Sequence, residues 1–255
     1  AARYDTGEDH PNTRCWDQKR RYGVDFRYPV ARYTNALTQP LIDPSQPDLA
    51  ASGQGVPNPL FVGGRPVELV SLTTIVGVPW QDVATDPTNP QSRVKTTSQM
   101  ESDGSWAWLV EGVDPFMREA ALPRTGVSPA TGEDVASMNG INGGDRTILG
   151  NEDLQYTCIF GLETPATDGP DCSGCVDASC DDPLCVGQTQ VAAKANPGVR
   201  QLSVVRSLGD RGIAGSICPG DVASATPGGP SVRSPSYEPP IVELESRMWK
   251  YLPRD

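Results

Sequence analysis

Seven cysteines are the residues of this chain with the clearest potential for chemistry, and four of them fall within fourteen residues. Cys172, Cys175, Cys180 and Cys185 have the spacing C-x2-C-x4-C-x4-C. A structural zinc ion takes four tetrahedral ligands, and one C-x2-C pair supplies two of them. The remaining spacings are too even and too short for the usual two pairs of ligands, and aspartates are interspersed among the cysteines. The pattern therefore favours disulfides over zinc ligation or free thiols.

The cysteine count also bears on the pairing and on the compartment. Spacing alone does not choose among the three connectivities that four clustered cysteines allow. Outside the cluster, a bond between Cys158 and Cys218 would tie the middle of the chain to its last strand. Cys15 is then left over, as a free thiol or as a bridge to another chain. Cysteines used in this way are typical of oxidising compartments, so we expect an extracytoplasmic location: periplasm, outer surface or secreted.

Carboxylates offer a second kind of chemistry, because a divalent cation such as Ca²⁺ or Mg²⁺ is bound by oxygen ligands. No EF-hand pattern is present, and turns or an exposed acidic terminus explain the same residues. Carboxylate pairs also serve glycosidase-type hydrolysis, but their proximity cannot be read from a sequence. His10 is the only histidine, so triad-type catalysis has a single candidate base. The weak candidates for metal ligands are Asp5, Glu8, Asp9, Asp145 and Asp153.

A formal net charge of −11, from 21 basic and 32 acidic residues, limits the classes of partner. Such a chain repels phosphate backbones and anionic membrane surfaces, which argues against nucleic-acid binding. No run of about 18 apolar residues occurs, so we predict no transmembrane segment. The sequence begins Ala1-Ala2-Arg3 without Met or a signal peptide, and we expect a processed or excised part of a longer protein.

The regular elements are organised around the β-branched run from Val67 to Pro79. It has a single charge and no polar alternation, which is typical of a strand covered on both faces in a parallel sheet. Residues 212–218 predict a second buried strand. Helices are predicted to start at Pro29 and Pro197, since proline suits a first helical turn. The apolar faces are predicted from helical spacing: Val30, Tyr33 and Leu37; Val199, Leu202, Val205 and Leu208; and, in a final helix over 239–252, Ile241, Leu244, Met248 and Leu252 pointing inward.

Alternation of helices and strands implies parallel crossovers, yet two central strands are too few for a doubly wound sheet. Part of the sheet must come from the insertion, from another chain or from sequence missing here. We therefore expect three parts: a polar N-terminal segment (1–28), an α/β core (29–79 and 196–255), and a loop-rich, cysteine-containing insertion (80–195). Two patches, 106–110 and 154–160, are expected to hold the insertion down; the second alternates like a short strand.

The strings LVSLTTIVG (69–77) and VRSLGDRGIAGSICP (205–219), followed by an amphipathic helix, carry a resemblance. They resemble the C-terminal half of von Willebrand factor A-like domains in large secreted bacterial surface proteins, whose insertions also bear cysteines like Cys158 and Cys172 to Cys185. The resemblance implies an α/β, partial doubly wound parallel sheet with a long disulfide-stapled insertion, used for adhesion or protein recognition through a divalent cation. The family's D-x-S-x-S metal motif is absent. Asp103-Gly-Ser105 matches only its first three positions and is interpreted as a turn.

These observations predict a non-catalytic interaction or structural module of a larger surface protein or complex. A protein partner, or the remainder of a longer chain, would complete the sheet. The alternatives are a secreted carboxylate-dependent hydrolase, with or without Ca²⁺, and a subunit of an envelope filament or assembly. A hydrolase needs a cleft with a carboxylate pair of perturbed pKa, whereas a binding module does not.

Overall fold

A computed structural model describes residues 9–50, 55–148, 153–167, 172, 184–220 and 237–251. The fold is mixed α/β with small sheets, one of them parallel. Its helices are α1 Arg14–Tyr22, α2 Val30–Thr38, α3 Trp80–Val83, α4 Thr97–Ser102, α5 Ser105–Val110, α6 Val199–Ser207 and α7 Glu238–Tyr251. Its strands are β1 Leu41–Ile42, β2 Val56–Pro57, β3 Leu72–Val76, β4 Cys158–Ala166, β5 Cys185–Val186, β6 Thr189–Ala195 and β7 Gly212–Ser216.

The two predicted central strands are present as β3 and β7, which pair in parallel from Leu72 opposite Gly212 to Val76 opposite Ser216. Two glycines of β7 let helices approach the sheet closely. A Cβ on Gly212 would lie 2.3 Å from the Val205 carbonyl oxygen in α6, and one on Gly215 would lie 2.6 Å from Pro240 in α7. Because residues of opposite parity point to opposite faces of a strand, α6 and α7 cover opposite faces of the sheet.

The first third of the predicted insertion packs directly on this sheet. Helices α3, α4 and α5 share one apolar core with α6 and β7. Trp106, predicted to help hold the insertion down, is 1% exposed and donates its indole N–H to the Thr97 carbonyl oxygen at 3.2 Å. The Asp103-Gly-Ser105 turn precedes α5, with the Asp103 carboxylate accepting from the Ser105 amide at 2.9 Å.

The second patch of the insertion forms a separate antiparallel sheet in the order β4–β6–β5. The predicted short strand in this patch is β4, which pairs with β6 from Cys158 opposite Ala195. A disulfide joins Cys158 to Cys218, just after β7, and so ties this sheet to the end of the parallel pair. A small core of Phe116, Val135 and Ile141 packs around it.

The predicted orientation of helix α7 is wrong. Its periodicity predicts that Ile241 and Met248 point inward, but they are 49% and 54% exposed. Pro240 and Glu243 are the residues of α7 that are buried. A two-stranded sheet is too narrow to cover the apolar stripe of a fourteen-residue helix, and the Glu243–Arg247 ion pair (3.1 Å) turns toward the protein instead. Leu252 lies outside the described residues.

Strand β3 is also less covered than its sequence suggests. Ile75 is 40% exposed, and Leu69, in a 3₁₀ turn over Val67–Leu69 that precedes the strand, is 49% exposed. Helix α2 has the same character, since its predicted apolar face leaves Tyr33 46% exposed and contains no fully buried residue. The expectation of a strand buried on both faces is therefore wrong for β3, which has no fully buried residue, whereas all five residues of β7 are buried.

Candidate functional site

The outer edge of β3 is the first candidate site. Ile217 donates its N–H to the Val76 carbonyl oxygen at 2.9 Å, which shows that the backbone groups of Val76 face β7. Since these groups alternate along a strand, those of Leu72 and Thr74 face β7 too, whereas those of Thr73 and Ile75 face outward. Among the described residues, no strand pairs with this outer edge at Thr73 and Ile75.

The same edge is closed at its carboxyl end. Gly77 forms a parallel bridge with Pro197, and Gly198 donates its N–H to the Gly77 carbonyl oxygen at 2.8 Å. The open stretch thus ends where the chain enters α6. An unpaired strand edge is a template for another strand, because its N–H and C=O groups are already aligned.

A groove of about 570 Å³ runs beside this edge, between α2, α6 and β3. The face of β3 that points to α6 contributes Leu72 and Thr74, and α2 contributes Val30, Tyr33 and Leu37. Arg27 and Arg200 lie at the groove as well, and both bind the Asp25 carboxylate, at 3.0 and 3.1 Å. The predicted apolar face of α2 therefore lines an open groove instead of a closed core.

A buried carboxylate pair is the second candidate site. Asp82 in α3 and Asp114, just before the 3₁₀ turn Pro115–Met117, are each 0% exposed. Asp114 accepts a hydrogen bond from the Phe116 amide at 2.7 Å. The two carboxyl groups are close enough for each to affect the pKa of the other. Within the described part of the chain, both Asp82 carboxyl oxygens and Oδ2 of Asp114 are buried without a hydrogen-bond partner.

Burial is the main cause of the electrostatic state of this pair. It raises the pKa of Asp82 well above its ordinary value, and the neighbouring Asp114 carboxylate raises it further, against the opposing charge of Lys95. Burial also raises the pKa of Asp114, in part offset by the hydrogen bond from the Phe116 amide and by the neighbouring Asp82 and Ser128 side chains. Two like charges in a dry site cannot both ionise cheaply, so burial and the neighbouring Asp114 carboxylate favour the protonated form of Asp82.

Neither carboxyl group faces the groove at β3 or two further clefts near α7, one around Arg93 and Glu243 and one around Arg211 and Met248. Neither Asp82 nor Asp114 was predicted from the sequence as a site residue. One signal was available: Asp82 follows directly after the carboxyl end of the predicted central strand, where binding sites of parallel sheets are found. No sequence pattern indicates that Asp114, 32 residues later, packs against it.

The predicted metal candidates do not come together. Three of them are bound to cations instead: Asp145 to Arg124 (2.7 Å), Asp153 to Lys194 (2.6 Å) and Asp9 to Arg14 (2.9 Å). Over the described ranges, no group of three or more His, Cys, Asp or Glu side chains is placed to hold a metal ion. The remaining two candidates, Asp5 and Glu8, lie outside the described residues. A divalent cation thus stays a prediction.

The Arg124–Asp145 pair is the most enclosed ion pair of the described structure, with side-chain exposures of 2% and 0%. The guanidinium binds both carboxylate oxygens at 2.7 Å and donates further hydrogen bonds to the Phe116 and Tyr156 carbonyl oxygens. Asn142 joins this network through Asp145 and Tyr156. The glycine-rich turn around Asn139–Asp145 is therefore built around an arginine, which assigns it a structural role.

The cysteines fall into three groups. Besides Cys158–Cys218, a second disulfide joins Cys172 to Cys185. Cys175 and Cys180, the other two members of the cluster, lie outside the described residues. Cys15 is an exposed free thiol in α1.

Comparison with family models, with curated proteins and with solved structures found no match to this chain. The helices of the described residues include none with the length and apolar character needed to cross a membrane.

Proposed function

We propose that this chain is a non-catalytic, extracytoplasmic interaction or structural module of a larger surface protein or complex. Its interaction site is the outer edge of β3, where a strand from a protein partner or from the remainder of a longer chain extends the parallel sheet. The observation that carries the proposal is the outward orientation of the Thr73 and Ile75 backbone groups beside the α2–α6 groove.

The chemistry of the surroundings supports a strand as the ligand. Strand addition draws affinity from main-chain hydrogen bonds and specificity from pockets for alternate side chains. The edge offers the first, and the groove with Leu72, Tyr33 and Leu37 offers the second. The resemblance to von Willebrand factor A-like domains implies a sheet with more parallel strands than the described pair β3–β7, and the proposal draws the additional strand from outside the described residues. Two disulfides support an oxidising compartment, and the net charge of −11 disfavours nucleic acid.

A strand-like probe tests this proposal. The probe is a lysine-flanked peptide with the sequence of residues 69–77, and amide hydrogen exchange is followed by NMR. We expect the Thr73 and Ile75 amides to gain protection when the peptide is added, while the Thr74 amide, already bonded to β7, changes little. Ile75→Pro removes an outward N–H without touching the bonds to β7 and should abolish the effect. Unchanged exchange at Thr73 and Ile75 with excess peptide would contradict the proposal.

The carboxylate-dependent hydrolase remains the second candidate, and the Asp82–Asp114 pair is the observation in its favour. Neighbouring buried carboxyl groups with raised pKa values are the kind of environment in which a general acid is found. Its complete burial, away from the three clefts, argues against substrate access. Hydrolysis of chromogenic glycosides or esters that disappears in Asp82→Asn, with the fold retained, would favour this candidate over the interaction module. Calcium titration calorimetry tests the divalent cation that both candidates allow.

A further inference from the structure

The segment between α1 and α2 exposes its apolar residues and turns its polar ones inward. Tyr22, Val24, Phe26 and Tyr28 stand at alternate positions and are 53%, 53%, 63% and 60% exposed. We call these four residues the aromatic ridge. Tyr22 is the last residue of α1, and from Val24 to Tyr28 exposed residues alternate with the half-buried Asp25 and Arg27, so Val24, Phe26 and Tyr28 all face solvent.

Ion pairs hold the ridge in this orientation. The Asp25 carboxylate is bound by Arg27 at 3.0 Å and by Arg200 of α6 at 3.1 Å, and Arg200 also donates to the Tyr28 carbonyl oxygen. Arg27 in turn lies 3.8 Å from Glu119. The backbone of the segment is therefore anchored to α6 by its polar residues, and its apolar side chains are preorganised toward solvent. Preorganised aromatic and arginine side chains are typical of binding interfaces.

The ridge lies in the most basic part of an acidic chain. Between Arg14 and Arg32 there are six basic and two acidic residues, whereas the whole chain has a net charge of −11. Arg20 and Arg32 are stacked on aromatic rings, at 4.3 Å from the Trp16 centroid and 4.0 Å from the Tyr28 centroid, and keep their charge near the ridge. The complementary surface is therefore apolar and acidic.

Helix α7 presents such a surface. Ile241, Val242, Met248 and Trp249 are 49%, 53%, 54% and 61% exposed, and helical spacing places them in one stripe. The exposed carboxylates of Glu238 and Glu245 fall within that stripe, and Glu245 accepts a hydrogen bond from the Trp249 indole. Of the two cationic residues of α7, Arg247 forms an ion pair with Glu243, and Lys250 lies at the C-terminal end of the helix. We call this surface the α7 stripe.

The two surfaces also match in length and cannot meet within one molecule. The five residues from Val24 to Tyr28 span at most about 17 Å, and the eleven-residue separation from Glu238 to Trp249 spans about 17 Å of helix. The ridge is anchored to α6 on one face of the β3–β7 sheet, and α7 covers the opposite face. Only a second molecule can bring an α7 stripe onto a ridge.

We propose that a second copy of this chain docks its α7 stripe on the aromatic ridge, in a head-to-tail contact. Such a contact uses two different patches, so it leaves one free ridge and one free stripe and propagates into a ring or an open filament. This self-assembly goes beyond strand addition at β3 and does not depend on it, because neither patch includes the β3 edge.

The test uses two variants in a Cys15→Ser background, which removes the exposed thiol as a source of covalent dimers. Phe26→Asp places a negative charge on the ridge, and Trp249→Lys places a positive charge on the stripe. Both side chains are more than 60% exposed, so the fold should persist, as circular dichroism will check. Leu122→Ser, at a 73% exposed residue outside both patches, is the matched control.

Sedimentation velocity over a concentration series is the readout. We expect the parent and Leu122→Ser to form species larger than dimers as concentration rises, and each of the two patch variants alone to remain monomeric. An equimolar mixture of the variants should stop at a 1:1 dimer, because the intact stripe of one meets the intact ridge of the other. Salt near 1 M, where the Debye length is about 3 Å, should weaken all of these species.

Three results would overturn the proposal: a parent that stays monomeric at every concentration, patch variants that assemble like the parent, or a mixture that stays monomeric. The last result would show that an intact stripe and an intact ridge do not bind each other. None of the three bears on hydrogen exchange at Thr73 and Ile75, so the failure of self-assembly is distinguishable from the failure of strand addition.

Discussion

Two regions next to helix α6 are rich in apolar residues, one facing α3, α4 and α5 and the other facing α2 and the aromatic ridge. The two regions differ in how far those residues are covered. Toward α3, α4 and α5, Trp106, Leu109, Leu202 and Val205 are each at most 1% exposed. Toward α2 and the aromatic ridge, Tyr33, Phe26 and Tyr28 are 46–63% exposed. The apolar character of a segment therefore does not decide whether it is buried. Its burial depends on how many layers of secondary structure are available to cover it.

Both regions are rigidly organised, but by different interactions. The covered region is held by apolar packing, with a capping box at Thr96 starting α4 and an indole hydrogen bond fixing Trp106. The uncovered region is held by ion pairs around Asp25, which leave the apolar side chains outside. Exposed aromatic residues contribute little to the stability of the segment between α1 and α2. We therefore expect them to matter for association more than for folding.

Two tryptophans, one in the covered region and one on the exposed α7 stripe, should show the largest difference in their contribution to stability. Trp106→Ala should lower the free energy of unfolding by about 4 kcal/mol, because a fully buried indole leaves a cavity and an unbonded Thr97 carbonyl. Trp249→Ala, at 61% exposure, should change it by less than about 0.5 kcal/mol. Urea denaturation of both variants measures the two values. Equal losses would show that the α7 stripe is covered in solution.

The same comparison extends to arginines. Arg124→Ala should cost about 3 kcal/mol, because it leaves the Asp145 carboxylate buried without its cation. Arg206 binds Glu101 and Glu111 at 2.7 and 3.2 Å on the surface, and Arg206→Ala should cost less than about 1 kcal/mol. Thermal unfolding at low and high salt separates them, since only the surface pairs are screened appreciably. A large, salt-sensitive loss at Arg206 would contradict this ranking.

The buried carboxylate pair predicts a stabilising substitution. The pKa of Asp82 is raised in the folded protein, so the stability associated with its proton is present at low pH and is lost as pH rises above the ordinary aspartate value of 3.8. Asp82→Asn removes the ionisation and should raise the free energy of unfolding at pH 7 by about 1–2 kcal/mol, an effect that shrinks toward pH 4. Denaturation curves between pH 4 and 8 test this.

Asp25 serves as the control, because its pKa is lowered in the folded protein whereas that of Asp82 is raised. Hydrogen bonds from Arg27 are the main cause that lowers the pKa of Asp25 to about 2, so its contribution is present above pH 4 and is lost as pH falls toward 2. Asp25→Asn should therefore destabilise the protein slightly at pH 7, and should not change the slope of stability between pH 5 and 8. A variant of Asp82 that behaves in the same way would exclude the raised pKa.

The features that could be predicted from the amino-acid sequence are local ones. The β-branched run at 72–76 and the Gly212–Ser216 segment are strands, and Pro197 and Gly209 bracket α6, because chain stiffness and helix-ending residues act over a few neighbours. The turn at Asp103-Gly-Ser105 and the strand at Cys158 follow from the same short-range chemistry.

What each of these elements faces depends on how the elements pack together. The α7 stripe points to solvent because the sheet beneath it has two strands, and no periodicity in α7 itself carries that information. Asp114 raises the pKa of Asp82 from 32 residues away in the chain, and Cys172 is bonded to Cys185, because both interactions depend on how separate segments pack. Helical and strand spacing determine which side chains share a face, whereas the number and order of layers determine whether that face becomes a core, a groove or a binding surface.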